Sequence, residues 1–395
     1  MQLGFKTKLK INPIQQQLFA QHAGYSRWVY NWALATIEDF YKSGVKLSYR
    51  DARKFYTNTV KPEYPWMNQM SSRVYVYAFE HLHEGYRRLW SGISKKPTFK
   101  KKGKSTDSFT VDWNGKVKRI VGNRIKLPAP LGTVSTFEKL PSVDIKKVTV
   151  SRTADSWYIS FNYEIPDISP SNIGDVDDIV GVDSGINSLA VAISLNTAKT
   201  FDNPKKYRKS KKQLARLQRQ LQGKTKGSKR HTKAKNRLAK YHKQIADTRS
   251  NTIHQMTTSI CKNHAVVVIE NLNVNGMLQN HKLAAAVADC GFGEIERQFK
   301  YKTQKFASQL IQVDTFYPSS QLCPQCGAKQ KMPLNIRTYT CGSCGYERDR
   351  DENAAYNLCL YGWNKLFPSG ITGELPGSGR GGLKMPTSPV ETIKK

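Results

Sequence analysis

Two kinds of residue in this sequence are placed to do chemistry: carboxylates at the ends of apolar runs, and cysteines in close pairs. Ile179-Val-Gly-Val-Asp183 and Ala265-Val-Val-Val-Ile-Glu270 are short stretches that each run into an acid. Their length and β-branching predict strands rather than helices. A buried strand end has no use for an ionised carboxylate unless a cation pairs with it. A third acidic group, Asp349-Arg-Asp351-Glu352, opens a helical pattern. Asp349 is placed as the N-cap, with Glu352 three residues on completing a capping-box-like pair, which leaves Asp351 free to face a site. Set side by side in parallel, the two strands would bring Asp183 and Glu270 together, and the final helix would lay Asp351 across them. Such an oxygen-only cluster suits Mg2+. Two such ions would activate water and stabilise the leaving oxygen of a phosphodiester, so the implied chemistry is metal-dependent hydrolysis of nucleic acid.

The cysteines point to a different metal. Cys323 and Cys326 form one CxxC pair and Cys341 and Cys344 another, fourteen residues apart, each followed by a glycine. This is the spacing of a four-thiolate zinc ribbon. One Zn2+ held by four thiolates has no open position for water, so it would be structural. Cys261, Cys290 and Cys359 fall in apolar contexts and are expected to be small buried hydrophobes in a reducing compartment. A cytoplasmic protein is expected, nucleoid-associated when on DNA.

The chain carries 63 Lys and Arg against 30 Asp and Glu, a net charge of +33, which calls for a polyanion, nucleic acid by default. No apolar run approaches eighteen residues and the start, MQLGFKTKLK, lacks a signal-peptide core, so no membrane association is expected. The cations are concentrated. Between Lys205 and Arg249 stand eighteen Lys and Arg and one acid, Asp247, around a thin leucine stripe. This predicts a basic helical hairpin whose like charges need a polyanion; Lys211, Lys212, Arg216 and Arg230 are its candidate contacts. The loop KKPTFKKKGK, residues 95–104, offers Lys100, Lys101 and Lys102, either to phosphates or to solvent.

These groups need elements to position them. Residues 2–11 alternate as a strand, and Asn12-Pro13 starts a helical region reaching Trp90, with stops near Gly44 and restarts near Ser48 and Ser71. Its aromatic stripe (Tyr25, Trp28, Tyr30, Trp32, Tyr41, Tyr49) has core spacing, with base stacking as the alternative. Strands are expected at Phe109–Trp113, Val117–Val121, Arg124–Leu127, Val143–Ser151 and Trp157–Glu164, giving a small antiparallel barrel or sandwich into which the helices are inserted. After a linker rich in Pro, Ser and Asp come the acid-bearing strands, a strand at Leu189–Leu195, a helical stretch over 283–309 interrupted at Gly291 and Gly293, and a strand at Leu310–Phe316. A last helix is expected from Asp349 to about Leu360, then a glycine-rich, disordered tail.

GVDSG at 181–185, VIENL at 268–272, CPQCG with CGSCG, and DRDENAAYNL at 349–358 resemble, in order and spacing, the TnpB family of transposon-encoded RNA-guided DNA endonucleases related to type V CRISPR effectors. The resemblance implies an α+β multidomain fold. A wedge β-barrel would comprise residues 1–12 and 96–166, a helical recognition lobe 13–95, and a linker 167–178. An RNase H-like (RuvC) nuclease domain would span 179–318 and 346–365, interrupted by a zinc-ribbon target-nucleic-acid-binding module at 319–345, and the tail would occupy 366–395. The resemblance places the catalytic, Mg2+-binding acids on Asp183, Glu270 and Asp351. It also implies a guide RNA, a double-stranded DNA target and a short target-adjacent motif, with Tyr49, Ser72 and Arg73 as candidate motif readers. An RNA-guided binding regulator that does not cut, or a strand-transferring transposase, are the competing expectations.

Overall fold

The computed structural model describes residues 1–113, 119–333 and 335–368. The chain divides into two compact units, residues 1–165 and 166 onward.

In the first unit, β1 (Gln2–Lys10) leads into α1 (Pro13–Lys42), followed by α2 (Tyr49–Phe55) and α3 (Ser72–Trp90). Asn12 caps α1 as expected: its Oδ1 accepts the Gln15 N–H at 2.8 Å, and the Gln15 side chain returns to the Asn12 N–H. Six strands follow: β2 (Ser108–Asp112), β3 (Ile120–Val121), β4 (Arg124–Lys126), β5 (Thr133–Thr136), β6 (Lys147–Thr153) and β7 (Ser156–Glu164). They join β1 in a seven-stranded sheet of order β2-β6-β7-β1-β5-β4-β3. Because β1 pairs antiparallel with both β7 and β5, the helices are an excursion between two strands of one sheet. Phe19 of α1 packs edge-on against Phe109 and Trp157 of that sheet. The aromatic stripe is largely core: Tyr25 and Tyr30 are buried, and Trp28 and Trp32 pack against them, while Tyr41 is exposed.

The second unit is built on a five-stranded mixed sheet of order β10-β9-β8-β11-β12: β8 (Ile179–Asp183), β9 (Ser188–Ile193), β10 (Ala198–Asp202), β11 (Val266–Ile269) and β12 (Gln309–Gln312). The first three are antiparallel and the last three parallel. Between β10 and β11 stand α4 (Lys206–Gln222) and α5 (Lys229–Asn263), the expected basic hairpin. After β11 come α6 (Val274–Gln279), α7 (Ala284–Cys290) and α8 (Phe292–Lys305). A two-stranded sheet of β13 (Thr338–Thr340) and β14 (Glu347–Asp349) precedes α9 (Arg350–Leu366). One apolar cluster lies between the sheet and α5, α7 and α8; the other is closed by α9 on the opposite face. Cys261, Cys290 and Cys359 are all buried.

Several expectations are corrected. Strands β5 and β10 and helix α6 were not foreseen. The strand expected over Val143–Ser151 begins only at Lys147 and runs on to Thr153, because its partner β2 ends at Asp112, opposite Lys147. The strand expected to reach Phe316 ends at Gln312: its parallel partner β11 stops at Ile269, whose carbonyl takes the Val313 N–H as the last rung. The 283–309 stretch breaks at Gly291, with Gly293 inside α8, and its helix ends at Lys305, since Gln309 already belongs to β12. Helix α9 runs to Leu366, six residues beyond Leu360 and into the start of the expected tail, because Trp363 is still burying surface against the sheet. Residues 117–118 of the strand expected at Val117–Val121, and the expected tail from 369 on, lie outside the described residues.

Candidate active site

Parallel pairing of β8 with β11 sets Val182 opposite Ile269, so Asp183 and Glu270 emerge at the same edge of the sheet from adjacent strands. Helix α9 crosses that sheet closely. A Cβ on Gly181 would stand 2.0 Å from the Ala355 carbonyl oxygen and 2.4 Å from the Cys359 nitrogen. Only glycine admits the helix at this depth. The first turn of α9 therefore reaches the acids: a Cβ on Gly185, two residues past Asp183, would lie 4.0 Å from Asp351 Oδ2.

The electrostatics match the convergence. Burial, then the charges of Glu270 and Asp351, push the Asp183 carboxyl well above the usual carboxylate range. Burial also raises Glu270, opposed by the Ser319 hydroxyl, which donates to Glu270 Oε1 at 2.5 Å, and by the positive charge of Arg350. Buried carboxylates that repel one another in this way call for a cation between them, and an all-oxygen donor set fits Mg2+.

At the start of α9, Asp349 Oδ1 accepts the N–H groups of Asp351 and Glu352 at 2.9 and 3.1 Å, so Asp349 is the cap. Glu352 does not close a capping box. Its carboxylate turns to Arg348 at 3.2 Å, because a guanidinium one turn back is a better partner than a backbone N–H.

The acids are held by groups that carry no acid or cysteine motif of their own. Ser319 is one. Arg337 is another, its Nη1 3.6 Å from Asp351 Oδ1, brought there where its carbonyl accepts the Arg350 N–H beside β14. Asn353 and Asn357, both buried, send their side-chain amides to the Leu322 carbonyl, and Asn357 also reaches the Ser319 carbonyl at 2.7 Å. They fasten the entrance of the cysteine module to α9. The signal that could have found them was their i,i+4 spacing on the apolar face of the helix.

The four cysteine sulfurs all lie within 4.8 Å of one another, and among the described residues they are the one group of His, Cys, Asp and Glu ligand atoms so closely drawn. Gly327 and Gly345, at φ of +73° and +72°, turn each knuckle so that the N–H of the glycine bonds to the carbonyl of the first cysteine of its pair. Backbone N–H groups of Cys344 and Ser343 aim at Cys341 and pull its thiol down to about 6. A tetrathiolate pocket of this kind fits Zn2+.

The candidate residues for a polyanion divide. Lys101, Lys102, Lys211, Lys212, Arg216 and Arg230 are exposed, as is Ser72; Tyr49 is half-buried and stacks on His83 at 4.2 Å. Arg73 is engaged by both oxygens of Asp112. Lys100 points inward, its Nζ 3.8 Å from the centre of the Tyr30 ring, and burial lowers it to about 8.

Family models described as "Probable transposase", "Cas12f1-like, TNB domain" and "Helix-turn-helix domain" match residues 160–281, 292–358 and 1–46; in the structure the last segment is β1 and the single helix α1. A Streptomyces pristinaespiralis protein provisionally named an RNA-guided DNA endonuclease is 32% identical over 90% of this chain and 88% of its own. InsQ of Escherichia coli K12, with the same provisional name, is 30% identical over 98% of each. A solved Cas12f1-sgRNA-target DNA complex aligns at 15% identity over 91% of this chain and 99% of that one, with a TM-score of 0.35. With near-full-length relatives at this identity, and with its acids and cysteines standing where the motifs place them, the chain belongs to the TnpB family.

Proposed function

We propose that this protein is an RNA-guided DNA endonuclease of a transposable element, hydrolysing target DNA beside a short target-adjacent motif. The convergence of Asp183, Glu270 and Asp351 from β8, β11 and α9 carries this proposal. These three residues would hold Mg2+, two ions in the full site, and the bound metal would supply Lewis acidity at the scissile phosphate and a more acidic water. The chain's own groups do the rest. Ser319 orients Glu270, Arg337 offsets the charge of Asp351, and the close seating of α9 sets the distance between the acids.

In this proposal the seven-stranded sheet is the wedge barrel, carrying the helical lobe at 13–95. The mixed sheet is the RuvC-like domain, over 179–318 and 346–365. The cysteine module, 319–345, holds one structural Zn2+ and handles the target strand. Guide RNA and double-stranded DNA are the polyanions that the exposed cations of α4, α5 and the 95–104 loop answer. Relatives named as RNA-guided endonucleases support this assignment.

The test is cleavage of a matched duplex by the purified ribonucleoprotein in Mg2+. The Asp183→Ala protein is expected to bind RNA and target but leave the duplex intact; continued Mg2+-dependent cutting would remove Asp183 from the site. A wild-type complex that binds and never cuts would make the protein a regulator, and strand joining by the chain alone would make it a transposase.

A further inference from the structure

One end of the helical layer in the first unit carries aromatic surface that its own core does not use. Trp90, the last residue of α3, is 72% exposed, and Tyr86 one turn earlier stacks on it at 5.8 Å and 26°. Ile93, just beyond, is 67% exposed. Helices α1 and α3 run in the same direction, with the N–H of Ser71, the cap of α3, on His22 Nε2 of α1, and Phe79 farther along α3 against Trp32 farther along α1. Tyr41, 71% exposed, therefore ends α1 at the same end of the layer. Scattered apolar side chains need no explanation, but a cluster of large ones does.

The backbone that carries the indole is fixed. Gly92 lies in the left-handed region, its N–H bonds to the Leu89 carbonyl, and the Ile93 N–H reaches back to Arg88 at 2.9 Å, the closure of a Schellman cap. A backbone fixed in advance leaves only the side chain to be ordered on binding. Two cations close to Trp90 in the chain, Arg88 and Lys95, are exposed. The basic loop is pinned alongside, with Lys96 on Glu38 at 3.0 Å and the Lys100 backbone bonded both ways to Asn31 at 2.8 Å.

We propose that Trp90, backed by Tyr86, is a stacking platform for an unpaired base of the bound RNA, with Arg88 and Lys95 on the adjoining phosphates. Every base offers a π-face to such a platform, and the cations hold the strand over it. The chemistry favours RNA. A folded RNA presents unpaired bases in loops and at ends, whereas duplex DNA keeps both faces of each internal base stacked.

This inference rests on the RNA-binding assignment above, and one set of measurements separates the two. The full-length protein is stripped of nucleic acid and titrated with the RNA that copurifies with it, beside single-stranded DNA of the same sequence. Trp90→Ala is expected to weaken RNA binding about fivefold or more, with the melting temperature unchanged because the side chain packs on little else. Trp90→Phe, which keeps a π-face, is expected to restore most of the loss. Wild-type RNA affinity in Trp90→Ala overturns the platform and leaves the endonuclease assignment standing. A wild-type protein that binds no RNA overturns both. A loss confined to the DNA arm, or loss of self-association in Trp90→Ala, overturns the RNA assignment in favour of DNA or a second copy of the chain.

Discussion

Gly181→Ala is the sharpest test of how the acids are assembled. The new methyl carbon would lie 2.0 Å from the Ala355 carbonyl oxygen, 2.4 Å from the Cys359 nitrogen and 2.9 Å from Leu358 Cβ, all on α9. Two of these are backbone atoms, so no side chain can rotate away. Non-bonded heavy atoms settle at about 3.5 Å, so the helix must retreat by on the order of 1 Å. Strand β8 cannot yield instead, since it is hydrogen-bonded to β9 on one side and β11 on the other. Overpacking of this kind costs about 1–3 kcal/mol. The larger effect is on the site. Ala355 is one turn past Asp351, so the carboxylate moves with the helix, and a misplacement of about 1 Å costs roughly 100-fold in rate. Nucleic-acid affinity is expected to hold, because the exposed cations of α4 and α5 are untouched. The assay is single-turnover cleavage by the ribonucleoprotein in Mg2+, beside thermal melting and duplex binding. Gly293→Ala serves as the control, since a Cβ there meets nothing within 4 Å. If Gly181→Ala cuts and melts like the wild type, α9 is not seated on β8 as described, and the account of how Asp351 reaches Asp183 fails.

Three further outcomes are expected. In the metal-free protein, Asp183→Asn should raise the melting temperature at neutral pH. The Asp183 carboxyl titrates well above its unfolded value of about 3.9, so the folded state binds its proton more tightly and loses that advantage as pH rises through the raised value; a wild-type chain whose stability does not fall over that range contradicts the burial of Asp183. Cys341→Ser should abolish the one bound Zn2+ and lower the melting temperature, and unchanged zinc by elemental analysis would refute the tetrathiolate. Replacing Lys211, Lys212 and Arg216 together by alanine should flatten the plot of log affinity against log salt by about one unit for each phosphate left without its cation; an unaltered slope would return the hairpin to a solvated face.

The residues of the site were legible because each is demanded by local chemistry. An acid at the end of an apolar strand, paired cysteines before glycines, and an aspartate at a helix cap are readable within a few positions of sequence. The parallel pairing of β8 and β11 was also within reach, since two wholly apolar strands belong in the middle of a sheet covered on both faces. Elements β5, β10 and α6 were not. Thr133–Thr136 and Ala198–Asp202 carry little apolar signal, and they are strands because neighbours supply the other half of each ladder.

Local sequence by itself thus determined the chemical inventory: three carboxylates, four thiolates and an excess of cations that suits a polyanion. The tertiary structure alone decided how that inventory is held. Whether Lys100 faces solvent or the Tyr30 ring, whether Arg73 is available or engaged by Asp112, and that Ser319 and Arg337 attend the acids all depend on residues well beyond their own elements in the chain. The depth at which α9 lies on Gly181 is of the same kind. Such pairings leave no periodicity in sequence, because they are set by which surfaces the packed sheet and helices bring together, and not by propensity along the chain.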